Sequence, residues 1–479
     1  MPITIGIDVG TTSITALAIT PTGEVAASGT VANEANITAP QDRARGRSEW
    51  DAAQMARQAQ EVVAKCARQL GPRAAEVCGI GLTGQQHGVV VVDRNLQPVT
   101  PFINWQDRRV EELGPDGRSC LTQARELMGP DAARRAGCTL SAGFMGATLY
   151  WLKCTDALPA DAAWACFAAD FVGVCLTGEP PQTDPTHGAS SGLFDLRRRT
   201  WDEEAVERLG IPRTLLPPVA EAGDPLGRLC EAAAQATGLA AGTPVFVALG
   251  DNQASVLGSV ADLRQTVLVN VGTGAQVARY CEEIHHAPPL ETRPFAREGY
   301  LLVHAGLSGG RAYATLERFF AQAMRDFTGQ EPKGPLYERM NELAAQVAAG
   351  SDGLRCDPTF AGTRQDPSRR ASLTGMSETN FTPAHLVRAL LEGMARSFRE
   401  GYDNLRAALG SDAGVLVGAG NGLRENALLA RMVAEEFGLP LRVPRHREEA
   451  AFGAAVVAAF GAGLFRSLQA AGRAVQYAD

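Results

Sequence analysis

Lysine is nearly missing from this chain of 479 residues: Lys65, Lys153 and Lys333 are the only three, although lysine and arginine together number 45. None follows a glycine, which removes the Gly-Lys pair of the Walker A loop, so any nucleotide is held in another way. The 10 cysteines include no CxxC pair, and several, such as Cys166 and Cys175, sit in apolar runs. That argues against a zinc framework and predicts reduced, mostly buried thiols of a cytoplasmic protein. Metal-ligand spacing is also missing from the histidines, of which His285 and His286 are neighbours in a Pro-rich loop. No apolar run is long and uninterrupted enough to span a bilayer, and the N-terminus enters a strand pattern without a signal peptide's basic region and apolar core. A net charge of −8 supplies no field to attract nucleic acid. The expected partners are therefore small molecules, with neither nucleic acid nor membrane among them; a monomer and a homodimer both stay open.

What is present is length enough for two domains, and a sentence said twice. ITIGIDVGTTSITALAI opens the chain, and TVLVNVGTGAQVARY follows about 260 residues later. Both read as β-hairpins: Ile3, Ile5 and Ile7 alternate toward one face, Gly10 to Ser13 turn, and Ile14, Ala16 and Ala18 resume; Val267 to Val271, a turn at Gly272, Thr273 and Gly274, and Ala275 to Tyr280 repeat the order. Glycine admits backbone angles closed to other residues, and turn amides with a threonine hydroxyl can surround a phosphate. One such turn is weak evidence of a ligand. Two of them predict duplicated domains, residues 1–257 and 258–479, whose turns face each other across a cleft.

Between the hairpins the periodicity predicts a helix capped by Asp51 and stopped at Gly71-Pro72, then the strands VCGIGLTG and PVFVALGD. Residues 100 to 240 loosen into short helices and loops, an expected insertion for substrate contacts. Beyond the second hairpin follow a long amphipathic helix over 385–409, the strand GVLVGAGN, a helix over 426–437 and a last, Ala-rich helix from about Glu448.

Several polar residues stand at ends of predicted strands, where open α/β sheets place ligands. Asp8 precedes the first turn and can hold Mg²⁺ or simply accept the turn's own amides; Asn270 takes its place in the second copy. Asp251 ends PVFVALGD and can take a proton from an attacking hydroxyl or cap a helix starting at Ala254. GQQHG (84–88) and NWQDRR (104–109) bring amide, imidazole, carboxylate and indole groups of the kind that grip a polyol, although His87 and Trp105 could equally be core residues. TDPTHGASSG (183–192) could be a capped loop, AFGAA beyond Glu449 small-residue packing, and GAGNG (418–422) a place where backbone meets a flat ligand.

Taken in order, DVGTTS, GQQHG, NWQDRR, GDNQAS, VGTG, GAGN and EEAAFGAA resemble the FGGY carbohydrate kinases over nearly the whole chain. The resemblance implies an α/β fold of two duplicated ribonuclease-H-like domains, as in actin-like ATPases, around a central ATP and sugar cleft. It implies ATP with its phosphates between Gly10, Thr11, Thr12 and Gly272, Thr273, Gly274, with Mg²⁺ positioned by Asp8. Asp251 would be the base. Gln86, His87, Trp105, Asp107 and Asn252 would contact the sugar, and Gly418, Gly420 and Asn421 the adenosine. NWQD, SAGFMGATLYWLK and ALGDNQASV look most like members acting on a seven-carbon ketose; GQQHG and GDN also look like members acting on xylulose. GAGNG departs from the three consecutive glycines common in the family. A non-catalytic actin-like module is the reading from another class, and Asp251 argues against it, because binding alone needs no base.

Overall fold

The computed structural model describes residues 1–363, 366 and 368–478. The first hairpin forms as expected: β1 (Ile3–Val9) and β2 (Ser13–Ile19) pair antiparallel from Thr4 opposite Ile19 to Val9 opposite Ile14. A third antiparallel strand, β3 (Val25–Ala32), extends the meander. Asp51 accepts a hydrogen bond from the Gln54 amide and so opens α1 (Ala52–Leu70), which ends at Gly71 with φ 56°. β4 (Val77–Gly84) then runs parallel to β1. The isoleucine alternation predicted one buried face, yet both faces of β1 are covered and only Asp8 is partly exposed. The insertion gathers its own core around Phe144, Phe167, Phe194 and Trp201. It includes α2 (Pro185–Ser190).

The chain returns to the first sheet through β5 (Pro225–Arg228), β6 (Pro244–Phe246) and β7 (Leu249–Gly250). PVFVALGD is thus two short strands rather than one. The sheet order is β5-β6-β4-β1-β2-β3, with β7 also paired to β4. Next comes α3 (Asp251–Ser259); residue 257, the expected division, lies inside it.

The second hairpin is β8 (Thr266–Val271) with β9 (Gly274–Cys281), followed by β10 (Glu291–Pro294), β11 (Tyr300–Ser308) and α4 (Gly310–Thr328). The long amphipathic helix is α5 (Pro383–Leu409), which buries Leu390, Met394 and Phe398. β12 (Val415–Ala419) and β13 (Leu441–Arg442) complete the order β10-β11-β9-β8-β12-β13. In both sheets a strand pairs antiparallel with its hairpin partner on one side and parallel with a later strand on the other. The repeated sentence is therefore a repeated topology.

The Ala-rich helix, α6 (Glu449–Gly461), is not the last, because a short helix Leu468–Ala471 follows. α3 and α6 are exchanged between the halves. Ala254, Val256 and Leu257 of α3 pack with Leu268, Val303 and Val417 of the second sheet, whereas Ala451, Phe452, Ala455 and Val456 of α6 pack with Leu17 and Ile19 of the first. Where the two helices cross, glycines remove every side-chain obstacle. A Cβ on Gly453 would stand 1.9 Å from the Ala254 carbonyl oxygen, and one on Gly258 2.0 Å from that of Glu449. AFGAA is close packing, as its small residues suggested.

Because backbone, unlike a side-chain tip, cannot move aside, Gly453→Ala should destabilise the protein by at least about 3 kcal/mol, at the upper end of overpacking. Urea unfolding followed by circular dichroism should show the midpoint falling accordingly.

Candidate active site

Strand register decides what meets at the cleft. Asp8 of β1 and Leu249 of β7 both lie beside Thr83 of β4. The three parallel strands consequently end together, and Gly10 to Thr12, Gln85 to His87 and Asp251 to Asn252 emerge at one edge. Both crossing helices begin here as well, α3 at Asp251 and α6 beside Glu448.

Asp8 Oδ1 is buried without a hydrogen-bond partner. Burial first, then repulsion from Asp251 and Glu448, pushes its carboxyl up to about 8. The accepting-the-turn reading of Asp8 therefore does not account for that oxygen. Asp251 is pushed up to about 6 by burial, against the opposing pull of the Asn252 amide and the Arg293 guanidinium. Its Oδ1 accepts from the Asn252 amide at 2.7 Å. The helix starts at Asp251 itself with Gly250 as its cap residue, so the alternative role of Asp251, capping a helix from Ala254, is overturned. Glu448, which the sequence pattern marked only as a helix start, is a third acid in this group.

Beside Gln86 and His87, α2 does more than close a loop. Asp184 accepts from the Thr186 and His187 amides and from the Thr186 hydroxyl. So fixed, the helix presents the Thr186 carbonyl to Gln86 Nε2 at 2.9 Å, and the Thr186 hydroxyl to the Gly250 amide at 2.7 Å. Ser190 holds His87 twice, its hydroxyl accepting from the His87 amide and its carbonyl meeting Nδ1 at 2.8 Å. Since a carbonyl only accepts, Nδ1 carries the proton and Nε2 is the acceptor. His87 has φ 77° and stacks on Phe144 at 4.2 Å; a left-handed histidine is a strained conformation of the kind functional sites retain. Gln86, His87, Phe144, Gln253 and Arg293 are among the residues lining one pocket. Trp105 is 42% exposed, not core, and its Nε1 donates to the Thr11 hydroxyl.

Two expected contacts need correction. Asp107 is buried, and its oxygens accept from the Ser48 and Arg109 amides and from Arg109 Nε and Nη2, which saturates the carboxylate and leaves nothing for a sugar. Gly418 faces Leu423 and Leu441, each 3.0 Å from where a Cβ would be, so its small size serves packing rather than a ligand. Thr11 is brought to the edge, but its hydroxyl proton goes to Gln85 Oε1; Gly10 turns too tightly for a side chain, with the Ser13 carbonyl oxygen 2.7 Å from an added Cβ. Thr12 is exposed.

In the second half, Gly272, Thr273 and Gly274 are exposed at the end of β8. Gly309 and Gly310, which no periodicity marked, buttress them: the Gly310 amide donates to the Gly272 carbonyl, the Arg311 amide to that of Thr273, and a Cβ on Gly309 would collide with Gly274. The signal available was the pair of glycines directly before a helix. Gly420, at φ 80°, lies so close to the Val271 carbonyl that no side chain fits, and it delivers exposed Asn421 beside that turn.

Two topologically repeated sheets, a glycine turn on each and a partly buried acid at a strand end define a protein of the actin-like fold. The family models of the FGGY carbohydrate kinases match here, the N-terminal domain over residues 3–258 and the C-terminal domain over 267–462. The chain belongs to that family and is an ATP-dependent carbohydrate kinase. It is 30% identical to the sedoheptulokinase of Mus musculus, with 97% of each chain covered. It is 26% identical to the xylulose kinase of Bacillus subtilis (strain 168), over 98% of this chain and 90% of that one. The crystal structure of xylulose kinase from Rhodospirillum rubrum superposes with a TM-score of 0.84 at 25% identity, covering 99% and 93%.

The Asp8 carboxyl carries a stability consequence. Its folded pKa lies above its unfolded one, so its contribution is fully present at low pH and is lost as pH rises from about 4 through about 8. Asp8→Asn should match the wild type in melting temperature near pH 4 and exceed it by about 2 °C or more above pH 8 without divalent cation, as differential scanning fluorimetry across pH will show.

Proposed function

We propose that the protein transfers the γ-phosphoryl group of ATP to a terminal hydroxyl of a ketose, sedoheptulose first, giving sedoheptulose 7-phosphate. The observation that carries this reading is the position of Asp251, a partly buried carboxylate in the first turn of α3, near the unpartnered Asp8 oxygen and two residues before Gln253, which lines a pocket with Gln86 and His87. The 30% identity to a sedoheptulokinase supports the seven-carbon acceptor over xylulose.

In the reaction the Asp251 carboxylate takes the proton of the acceptor hydroxyl, whose oxygen attacks the γ-phosphorus as the bond to ADP breaks. Gln86 Oε1 and His87 Nε2 accept hydrogen bonds from the sugar, Asn252 steadies it beside the base, and the exposed indole of Trp105 covers a carbon face. The turns at Gly10, Thr11 and Thr12 and at Gly272, Thr273 and Gly274 hold the phosphates through backbone N–H groups. Gly420 and Asn421 border the adenosine. The Asp8 environment fits Mg²⁺: a buried unpartnered carboxylate oxygen raised by two neighbouring acids is relieved by a cation, and this ion needs only one or two carboxylates beside phosphates and water. When bound, Mg²⁺ supplies charge neutralisation at the phosphates. Exclusion of water by approach of the two halves directs the phosphoryl group to sugar.

ADP release measured with Mg²⁺ and ATP over sedoheptulose, D-xylulose, D-ribulose, L-ribulose, gluconate and glycerol tests the acceptor. Sedoheptulose should give the highest kcat/KM; a preference for xylulose would overturn the substrate. Asp251→Asn should lower kcat by about 100-fold to 10,000-fold while ATP binding by calorimetry stays within a few-fold. Because the base works deprotonated, wild-type kcat/KM for the acceptor should fall as pH drops through about 6.

A further inference from the structure

The cavity beside Asp251 is not walled by the N-terminal half alone. Glu291, Thr292, Arg293 and Pro294 of β10, a strand of the second sheet, line it together with Gln86 and His87. Arg293 is the most heavily engaged of them. Its Nε and Nη2 both donate to Glu291 Oε2, at 3.2 and 2.7 Å. Its Nη1 donates to Gln276 Oε1 at 3.3 Å within the second sheet and to Asn252 Oδ1 at 3.1 Å on α3. The next residue of each partner repeats the pairing, as Gln253 Nε2 donates to the Pro294 carbonyl at 3.0 Å. Two successive residues of the helix that begins with the base are thus tied to two successive residues of β10, an edge strand of the second sheet.

We propose that Arg293 is a specificity-determining residue, the element of acceptor recognition contributed by the C-terminal half, so that the sugar pocket is complete only when both halves are engaged. This rests on the phosphotransfer reading given above. A guanidinium has five N–H donors in a rigid fork. The four bonds just described use four of them, and the fifth is on Nη2, at the pocket wall. It donates to a hydroxyl of the acceptor remote from the one that reacts. Both Arg293 and Glu291 have side chains mostly withdrawn from solvent, 20% and 16% exposed, and their paired charges leave the wall neutral. A neutral wall suits a polyol chain and disfavours an aldonate, whose carboxylate would meet Glu291. The same fork orients Asn252, next to the base, so acceptor recognition and alignment of the base share one side chain.

The test is steady-state kinetics of Arg293→Gln, Arg293→Lys and Glu291→Gln over the acceptor panel, with melting temperatures to verify folding. Arg293→Gln should raise the KM of the preferred acceptor about tenfold or more, the size of a lost charge-assisted hydrogen bond, while the KM of ATP stays within about twofold. Lysine keeps the charge but not the fork, so Arg293→Lys should recover only part of that loss. In Glu291→Gln the arginine loses its ion-pair partner at the wall, and kcat/KM for gluconate relative to the preferred ketose should rise about tenfold. Wild-type turnover combined with unchanged acceptor KM in both arginine variants, or an unchanged gluconate ratio in Glu291→Gln, would overturn this inference alone. A wild type silent over the whole panel would overturn the functional reading and this inference with it.

Discussion

The crossing of α3 and α6 is the contact on which the rest of the molecule depends. Each helix is donated to the other half's sheet, and they can pass at backbone distance only because Gly258 and Gly453 offer no Cβ where Glu449 and Ala254 present carbonyls. Close approach brings the two helix starts together, which sets Asp251 and Glu448 near Asp8. Had either glycine a side chain, the helices would separate and the acids with them. Packing therefore determines the electrostatics of the cleft.

Those electrostatics oppose stability. Asp8 and Asp251 are partly buried acids raised above the ordinary carboxylate range, to about 8 and about 6. A fold selected only for stability would replace them with apolar side chains or give them partners. On the proposed reading, in which the site receives a metal with its polyphosphate, there is reason to keep them, since the missing compensation is what the ligand brings. The neighbouring Asp184 is a further buried acid, pushed up to about 7, and only its Oδ1 is partnered while Oδ2 is not. Asp184 fixes α2 with three hydrogen bonds, and α2 in turn holds Gln86, His87 and Gly250. The segment TDPTHGASSG, which in sequence resembles any capped loop, is the support that sets Gln86, His87 and Gly250.

Much was legible from residues alone where the signal is local. Hairpins need only alternation and glycine, so both were readable, and Asp51 was recognisable as a cap from its place before an apolar period. Signals that rest on distant partners were not. The isoleucines of β1 alternate as in a half-buried strand, yet Gly6 between them is the contact for α6, more than 440 residues away. NWQDRR looked like one polar cluster, but the fold separates its members: Trp105 stays exposed beside Thr11, whereas Asp107 is consumed by Arg109 and the Ser48 amide. Gly418 and Gly420 sit two residues apart with opposite duties, one making room for leucines and the other for the Val271 carbonyl.

By itself the sequence determined the local elements, the duplication and the chemistry on offer at strand ends, because period, turn propensity and side-chain type are properties of short segments. Tertiary structure alone decided which of those groups share a site. Strand register aligned Asp8 with Leu249 on either side of Thr83, and helix exchange carried Glu448 to Asp8; the β10 strand brought Arg293 to Asn252. Such pairings join residues tens to hundreds of positions apart, and the close packing that enforces them is a relation between segments rather than a property of any one of them.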